Sequence, residues 1–420
     1  MGDKINMTRV SSNMANNDVQ LNLRRTESRL NKVNQQMGSQ QRITSLRDDP
    51  IAAGHLVRYQ SYLSRAEQFQ KNAETLRDQY TVAESYIHQS VDIMQRIREL
   101  TVQGANGIYS KEDLSNIAVE VDELLKELVQ NANAIGPEGN AIFAGTSLNR
   151  TAFEVETGPV SGATSAMITS VKYNGSLNAN QVEVDENSYM TSGTPGSQVF
   201  WAENQQLIAG RDATTYTVPA DGSIMIDGKE INLKQGDNVY SIISKINNAG
   251  VAVKASLDPV TNGLNLATTD SHQLWLEDGN GNTLYDLGLI KDSTQRPPYN
   301  IAASATVSGG SLFDTVIALR DSLIQGDYEA IGGKVLGGLD AGLDNLTTRL
   351  AEVGSRYERA LQNIARAETN VLNATAQVSR EGDLDITEAI TDMKMLEYVQ
   401  QASLSNAGKM YSNTLLNYMK

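Results

Sequence analysis

LGGLDAGLDNLTTRLAEVGSRYERALQNIARAETNVLNATAQV, residues 336–378, decides the fold. Its Leu336, Leu339, Leu343, Leu346, Leu350, Val353, Tyr357, Ala360, Ile364, Ala367, Val371, Ala374 and Val378 step by alternating threes and fours without a slip. That spacing lays one apolar seam along a helix and calls for a partner helix. A second seam stands far upstream, where Tyr59, Tyr62, Ala66, Phe69, Ala73, Leu76, Tyr80, Ala83, Ile87, Ser90, Met94 and Ile97 keep the same step. More than two hundred residues separate the seams, so their pairing brings the two ends of the chain together. The reading is of a mostly α protein whose N- and C-terminal helices pair into a long coiled-coil-like rod, with an α+β central insertion.

All eight prolines fall between Pro50 and Pro298, and both tryptophans, Trp201 and Trp275, lie in the same span. Proline breaks helix interiors, so the chain divides into helical arms and a proline-containing centre. The first arm opens with a helix near residues 16–37, its seam Val19, Leu23, Thr26, Leu30, Val33 and Met37. Residues 38–50 interrupt it. Asp48-Asp49-Pro50 then reads as a helix start, an Asp cap followed by Pro at the first helical position. The second helix runs to about Gln103, where Gly104 and Gly107 stop it, and a shorter amphipathic helix follows over 113–134. In the last arm Gly337, Gly338 and Gly342 each cost a helix interior up to about 1 kcal/mol. They place the firm start of the long helix nearer Leu343. Glu381-Gly382-Asp383 breaks that helix, and a final one carries Ile386, Ile390, Met393, Leu404, Ala407 and Tyr411 as its apolar positions. The two ends mirror one another: a terminal helix, a break, then a long helix.

The centre changes period. Ile224 and Ile226 alternate before Asp227-Gly228, and Ile231 and Leu233 follow, a hairpin signal. Asp237 can cap a short helix through Val239, Ile242, Ile243 and Ile246. Val251, Val253, Ala255 and Leu257 alternate into a second turn, with Leu264 and Leu266 beyond it. Residues 171–175 and 182–185 suggest two further strands. The expected domains are 1–45 with 383–420, a terminal assembly domain disordered in the monomer; 46–150 with 305–382, a helical rod; and 151–304, the insertion.

A length of 420 residues suggests two to four domains. The formal charge is −15, which argues against nucleic acid as a partner, because phosphate binding needs a basic face. Cysteine is absent, so disulfides, thiolate metal sites and cysteine nucleophiles are excluded. No stretch approaches the roughly 20 apolar residues of a membrane span, so no membrane insertion is expected. Residues 1–19 lack the continuous apolar run of a cleavable secretory signal.

Arg42-Ile43, Asp48-Asp49-Pro50, the run from Met94 to Asn106, the run Gly139-Asn140-Ala141-Ile142-Phe143-Ala144-Gly145-Thr146 and the closing Leu415 to Lys420 carry a resemblance. The chain resembles the flagellin superfamily of bacterial flagellar subunits, and within it most closely the hook–filament junction proteins, the third hook-associated proteins. Flagellins usually read Asp-Asp-Ala-Ala-Gly where this chain has Asp48-Asp49-Pro50, and the Phe-Ala-Gly-Thr run is also closer to the junction proteins. The resemblance covers roughly 1–150 and 310–420. Residues 222–270 look like an insertion motif shared by several hook-associated proteins.

The resemblance implies a structural role. Such subunits are exported unfolded through the flagellar type III apparatus, with an export chaperone on the C-terminal helix. They assemble between the first hook-associated protein and flagellin, meet the filament cap protein during assembly, and self-associate in a ring with the insertion facing outward. It points to Val19, Leu23, Leu30, Val33, Arg42, Asp48, Asp49, Pro50, Arg96, Arg98, Glu99, Ile390, Met393, Leu404, Tyr411, Leu415 and Leu416 as assembly residues. Independently, isolated amphipathic helices are marginal in water, so terminal helices without a partner inside the chain would order only against neighbouring subunits.

Other motifs fail. Residues 278–282 resemble the start of a calcium loop, but Thr283 replaces the required Gly and Leu289 stands at the bidentate Glu position. Gly332-Gly333-Lys334 lacks the spacing of a phosphate loop. His55, His88 and His272 are scattered, and no serine or carboxylate pair stands in a catalytic context, so neither enzyme nor cofactor is expected. The competing functions are a flagellin forming the filament itself and, less favoured, a coiled-coil adhesin or ligand-binding surface protein.

Overall fold

The computed structural model describes the backbone of residues 4–416, apart from 137–138, 148–150, 164 and 292–296, and side-chain surroundings between residues 17 and 409. Its longer helices are α1 (Lys4–Ser39), α2 (Pro50–Ala105), α3 (Lys111–Ala132), α4 (Val239–Asn248), α5 (Leu312–Gln325), α6 (Leu336–Gly382) and α7 (Ile386–Leu416). Among the described residues, no helix is long and apolar enough to cross a membrane. The chain divides into two compact units, Met1–Gln70 with Ala365–Lys420, and Lys71–Ile364. The division falls inside α2 and α6, not at the breaks near residues 45 and 383.

In the terminal unit α1 packs on α7. Val19, Leu23, Thr26, Leu30, Val33 and Met37 are half-buried while their neighbours along α1 are mostly exposed, so this seam stands as read. On α7 the expected face is corrected in part: Met393 and Ala407 lie in the covered row. The covered row is Ala389, Met393, Leu396, Gln400, Ser403 and Ala407, and Ile386, Ile390 and Leu404 stand outside it. Small residues let two helices approach closely, so the row that faces α1 is not the most apolar one. The terminal helices thus have a partner inside the chain: each other.

In the larger unit the two long seams are core. Ala73, Leu76, Tyr80, Ala83, Ile87, Met94 and Ile97 of α2 share one apolar cluster with Leu339, Leu346, Val353, Ala360 and Ile364 of α6. α3 and α5 join it, each opened by a capping box, Ser110 with Asp113 and Ser311 with Asp314. The glycine-rich start of α6 corrects the expected boundary. A short helix at Tyr328–Ala330 and a π-helical turn at Ile331–Val335 lead straight into α6 at Leu336. Gly338 and Gly342 are buried against Thr315 and Leu312 of α5, so close packing offsets their low propensity.

The insertion begins inside the same core. β1 (Phe153–Pro159) pairs antiparallel with β2 (Ala166–Tyr173), and β3 (Asn180–Asp185) with β4 (Ser188–Ser192). Phe143, Phe153, Phe200 and Phe313 meet ring to ring at centroid distances of 5.0–5.6 Å. Gly145, after Phe143, has φ +63°, and an added Cβ would lie 2.3 Å from the Ser176 carbonyl, so only glycine fits.

A second core lies further along the chain. β5 (Gln206–Ile208) joins a sheet of order β11-β5-β9-β8, where β8 is Val253–Leu257, β9 Leu264–Thr268 and β11 Thr306–Ser308. β6 (Gly222–Ile226) and β7 (Lys229–Leu233) form the expected hairpin, with Asp227 at φ 50° and Gly228 at φ 77° in its turn. β10 (Leu276–Asp278) extends it on the β6 side. The expected hairpin, helix, hairpin unit is therefore two separate sheets, one completed by β10 and the other by β5 and β11. α4 is capped by Asn238 Oδ1, which accepts from the Ser241 N–H, while Asp237 pairs with Lys245.

Candidate assembly interface and its supporting clusters

The two sequence breaks meet. Gln41 and Asp383 form an antiparallel bridge, the Arg42 N–H donates to the Gly382 carbonyl at 2.8 Å, and the Leu384 N–H donates to Gln40 at 3.1 Å. Arg42 Nη2 donates to the Glu381 carbonyl at 2.8 Å and lies 3.7 Å from the Glu381 carboxylate, while Nη1 lies 3.7 Å from Asp49. His55 Nδ1 stands 4.0 Å from the other Glu381 oxygen. Beneath them Ile43, Ala52 and Ala53 form a small buried cluster.

Asp48-Asp49-Pro50 has two jobs. Asp49 Oδ1 accepts from the Ala52 N–H at 3.0 Å and caps α2, with Pro50 at its first position. Asp48 turns back instead. It accepts from the N–H groups of Thr44 and Ser45 and pairs with Lys32 at 2.8 Å. The Lys32 ammonium, then burial in the opposite sense, then these amides act on its carboxyl, which sits well below the usual carboxylate range. α7 is capped by Asp385, which accepts from Thr387 and Glu388.

The terminal unit also carries exposed apolar side chains. Ile386, Ile390, Tyr398 and Leu404 stand out on α7, as do Leu21 on α1 and Leu372 on α6. Tyr411, Leu415 and Leu416 lie where side chains are outside the described residues. Arg96, Arg98 and Glu99 are in the larger unit and are engaged within the chain. Arg96 pairs with Glu99 at 3.1 Å and with Glu120 of α3 at 2.7 Å, and Arg98 pairs with Asp340 of α6 at 2.5 Å.

Two clusters escaped the sequence reading. Arg320 of α5 is fully buried; its Nη1 lies 2.9 Å from Asp122 of α3 and donates to the Ile168 carbonyl of β2 at 2.8 Å, while Nη2 reaches Asp321 at 2.8 Å. It thereby ties three elements together. His272 is also buried, with Nε2 3.1 Å from Asp227 and Nδ1 2.9 Å from Asp270. Asp270 in turn meets Arg349 of α6 at 3.1 Å. Burial alone would lower the imidazole pKa, but the two carboxylates overcome it and raise it to about 9. The Asp270 carboxyl, held first by His272 and further by Arg349, falls to about 2.

Long helices meet at this bonded double break, and a strand-rich insertion lies between them in the sequence. Residues 10–147 match the family described as the bacterial flagellin N-terminal helical region. The flagellar filament 33 kDa core protein of Treponema phagedenis is 34% identical over 149 residues, which span 36% of this chain and half of that relative. Polar flagellin F of Vibrio parahaemolyticus is 25% identical over 399 residues, 94% of both chains. Flagellar hook-associated protein 3 of Salmonella typhimurium is 25% identical over 291 residues, 67% of this chain and 83% of that one. The crystal structure of flagellar hook associated protein-3 from Legionella pneumophila aligns with 77% of this chain and 97% of its own, at 16% identity and a TM-score of 0.46. Residues 10–147 of this chain thus carry the flagellin N-terminal helical region, and relatives over longer stretches include flagellins and flagellar hook-associated protein 3.

Proposed function

We propose that this chain is a structural subunit of the bacterial flagellum that joins the hook to the flagellin filament, seated between the first hook-associated protein and flagellin. The observation that carries the assembly role is the outer apolar row of the terminal unit. The inner rows of α1 and α7 already cover one another, yet Ile386, Ile390, Tyr398 and Leu404 remain exposed beside them. Apolar surface left over once the intrachain seam has closed suits a neighbouring subunit. The junction position is supported by the similarity to hook-associated protein 3 and by the Asp48-Asp49-Pro50 and Phe143-Ala144-Gly145-Thr146 motifs.

On this reading the chain leaves the cell unfolded by type III export, with a chaperone on its C-terminal helix, and closes into a ring with copies of itself beneath the filament cap. Residues 1–45 and 383–420 gain their full order on assembly. Cross-linking mass spectrometry of intact flagella tests the placement. Cross-links to both the first hook-associated protein and flagellin, confined to one short zone, are expected. A second reading, a flagellin of the filament proper, is favoured by the alignment with polar flagellin F across 94% of both chains. Cross-links mainly between copies along the filament length would replace the first reading with the second.

A further inference from the structure

Asn106, Asn174, Asn262 and Asn280 each precede a glycine. An asparagine so placed can cyclise. The glycine N–H gives its proton to hydroxide, its nitrogen attacks the asparagine Cγ, and the side-chain amide nitrogen leaves as ammonia. Water then opens the succinimide at either carbonyl and leaves aspartate or isoaspartate. In balance, one amide and one water become one carboxylic acid and one ammonia. Glycine is the most permissive neighbour, because no Cβ obstructs the attack. Local sequence therefore treats the four alike, and the fold does not.

At two of them one reacting group is bonded and the glycine is covered. After β2, Asn174 Nδ2 donates to Glu154 at 2.7 Å, and Gly175 is buried under Tyr173, whose ring an added Cβ would strike. In the turn before β9, the Gly263 N–H donates to Thr261 Oγ1 at 3.2 Å, and Gly263 is buried against the Ala209 carbonyl. The other two are open. Asn106-Gly107 lies between α2 and α3, Asn280-Gly281 follows β10, and all four of these residues are exposed. Among the described residues, neither of these asparagine side chains and neither glycine N–H has a hydrogen-bond partner. Nothing lies within 4 Å of the Cβ position of Gly107 or Gly281. The bonds between Asn280 and Ser223, at 2.8 and 3.2 Å, use the asparagine's own carbonyl and N–H and leave the reacting pair free.

We propose that Asn106 and Asn280 are sites of spontaneous deamidation in the folded chain, and that folding protects Asn174 and Asn262. Each conversion adds a negative charge to a chain already at −15. At 106 the charge stands at the C-terminal end of α2, where the helix dipole disfavours it. At 280 it stands beside the Asp278 segment, where burial already raises a carboxyl pKa. The inference is independent of the junction role, since it rests on none of the terminal residues.

The full chain is held at mildly alkaline pH, folded in buffer and, in parallel, unfolded in guanidinium chloride. Peptide mass mapping follows the amide-to-acid mass gain at each of the four asparagines, and an isoaspartyl methyltransferase labels the isoaspartate formed. In the folded chain Asn106 and Asn280 should each convert at least about tenfold faster than Asn174 and Asn262. That ratio is equivalent to about 1.4 kcal/mol, the scale of one broken hydrogen bond with the uncovering of a glycine amide. In guanidinium chloride the four rates should converge. Failure of either Asn106 or Asn280 to outpace both Asn174 and Asn262 in the folded chain overturns the proposal. So does a ratio that is unchanged on unfolding, which would assign the difference to sequence and not to the fold.

Discussion

At His272 the chain places a titratable ring between two carboxylates and couples the insertion to α6 through Arg349. The folded pKa of about 9 lies above the ordinary value near 6.5. A raised folded pKa means the stabilisation is fully present below about pH 6.5 and is lost as pH rises through about 9. Asp270, depressed to about 2, behaves oppositely: its share is present above its ordinary value and lost as pH falls through about 2. Urea unfolding between about pH 6 and 10 should show the wild-type chain losing up to about 3 kcal/mol relative to His272→Gln. Parallel curves for the two proteins would remove His272 from the account. Arg320→Met leaves Asp122 and the Ile168 carbonyl without their buried partner and should cost about 3 kcal/mol, the lower end of the range because Lys126 still pairs with Asp122. Arg320→Met with Asp122→Leu should recover part of that loss in chemical denaturation. Neither cluster was legible in the chain. Asp122 and Arg320 stand 198 residues apart, and nothing local to either says what lies opposite.

Among the elements, legibility followed locality. The seams of α2 and α6 repeat within every two turns, and the Asp49 cap and the Asp227-Gly228 turn are settled by adjacent residues, so each could be read from sequence. Sheet order could not: β10 pairs with β6 some fifty residues away, and β5 lies between β9 and β11. Nor could the whole inner row of α7, because Ala389, Gln400 and Ser403 carry no signal to set them above Ile390 or Leu404. The glycines of α6 separate two cases that sequence alone treats alike. An added Cβ at Gly354 meets nothing within 4 Å, whereas at Gly342 it would lie 2.2 Å from Leu312 Cδ1 and 3.4 Å from Ala202 Cβ. Gly354→Ala should therefore stabilise the chain by about 0.5–1 kcal/mol through helix propensity alone. Gly342→Ala should destabilise it by about 1–3 kcal/mol as Leu312 is displaced. Thermal unfolding of the two variants side by side checks the pair, and equal shifts in one direction would contradict the packing of α6 on α5.

For the whole molecule, the terminal unit and the larger unit differ in how their apolar residues are spent. The larger unit buries the inner positions of its seams, with Ile87, Met94, Leu346 and Val353 at or near zero exposure. The terminal unit has the small cluster of Ile43, Ala52 and Ala53 and half-buried rows on α1 and α7, and it leaves Ile390 and Leu404 outside. Regions with few buried apolar contacts open at lower free energy, so amides of α1 and α7 should exchange with solvent well before those of α3 and α5 in dilute protein. Ile390→Asp and Leu404→Asp separate folding from assembly. Both side chains are exposed in the single chain, 43% and 51%, so each substitution should shift its stability by no more than about 0.5 kcal/mol. Between copies the same carboxylate would be desolvated without a partner, at a cost of several kcal/mol. Cells carrying either variant should export a normally folding chain yet show no junction and no attached filament by electron microscopy. Filaments of ordinary number and length would place the subunit contact elsewhere than on the outer face of α7.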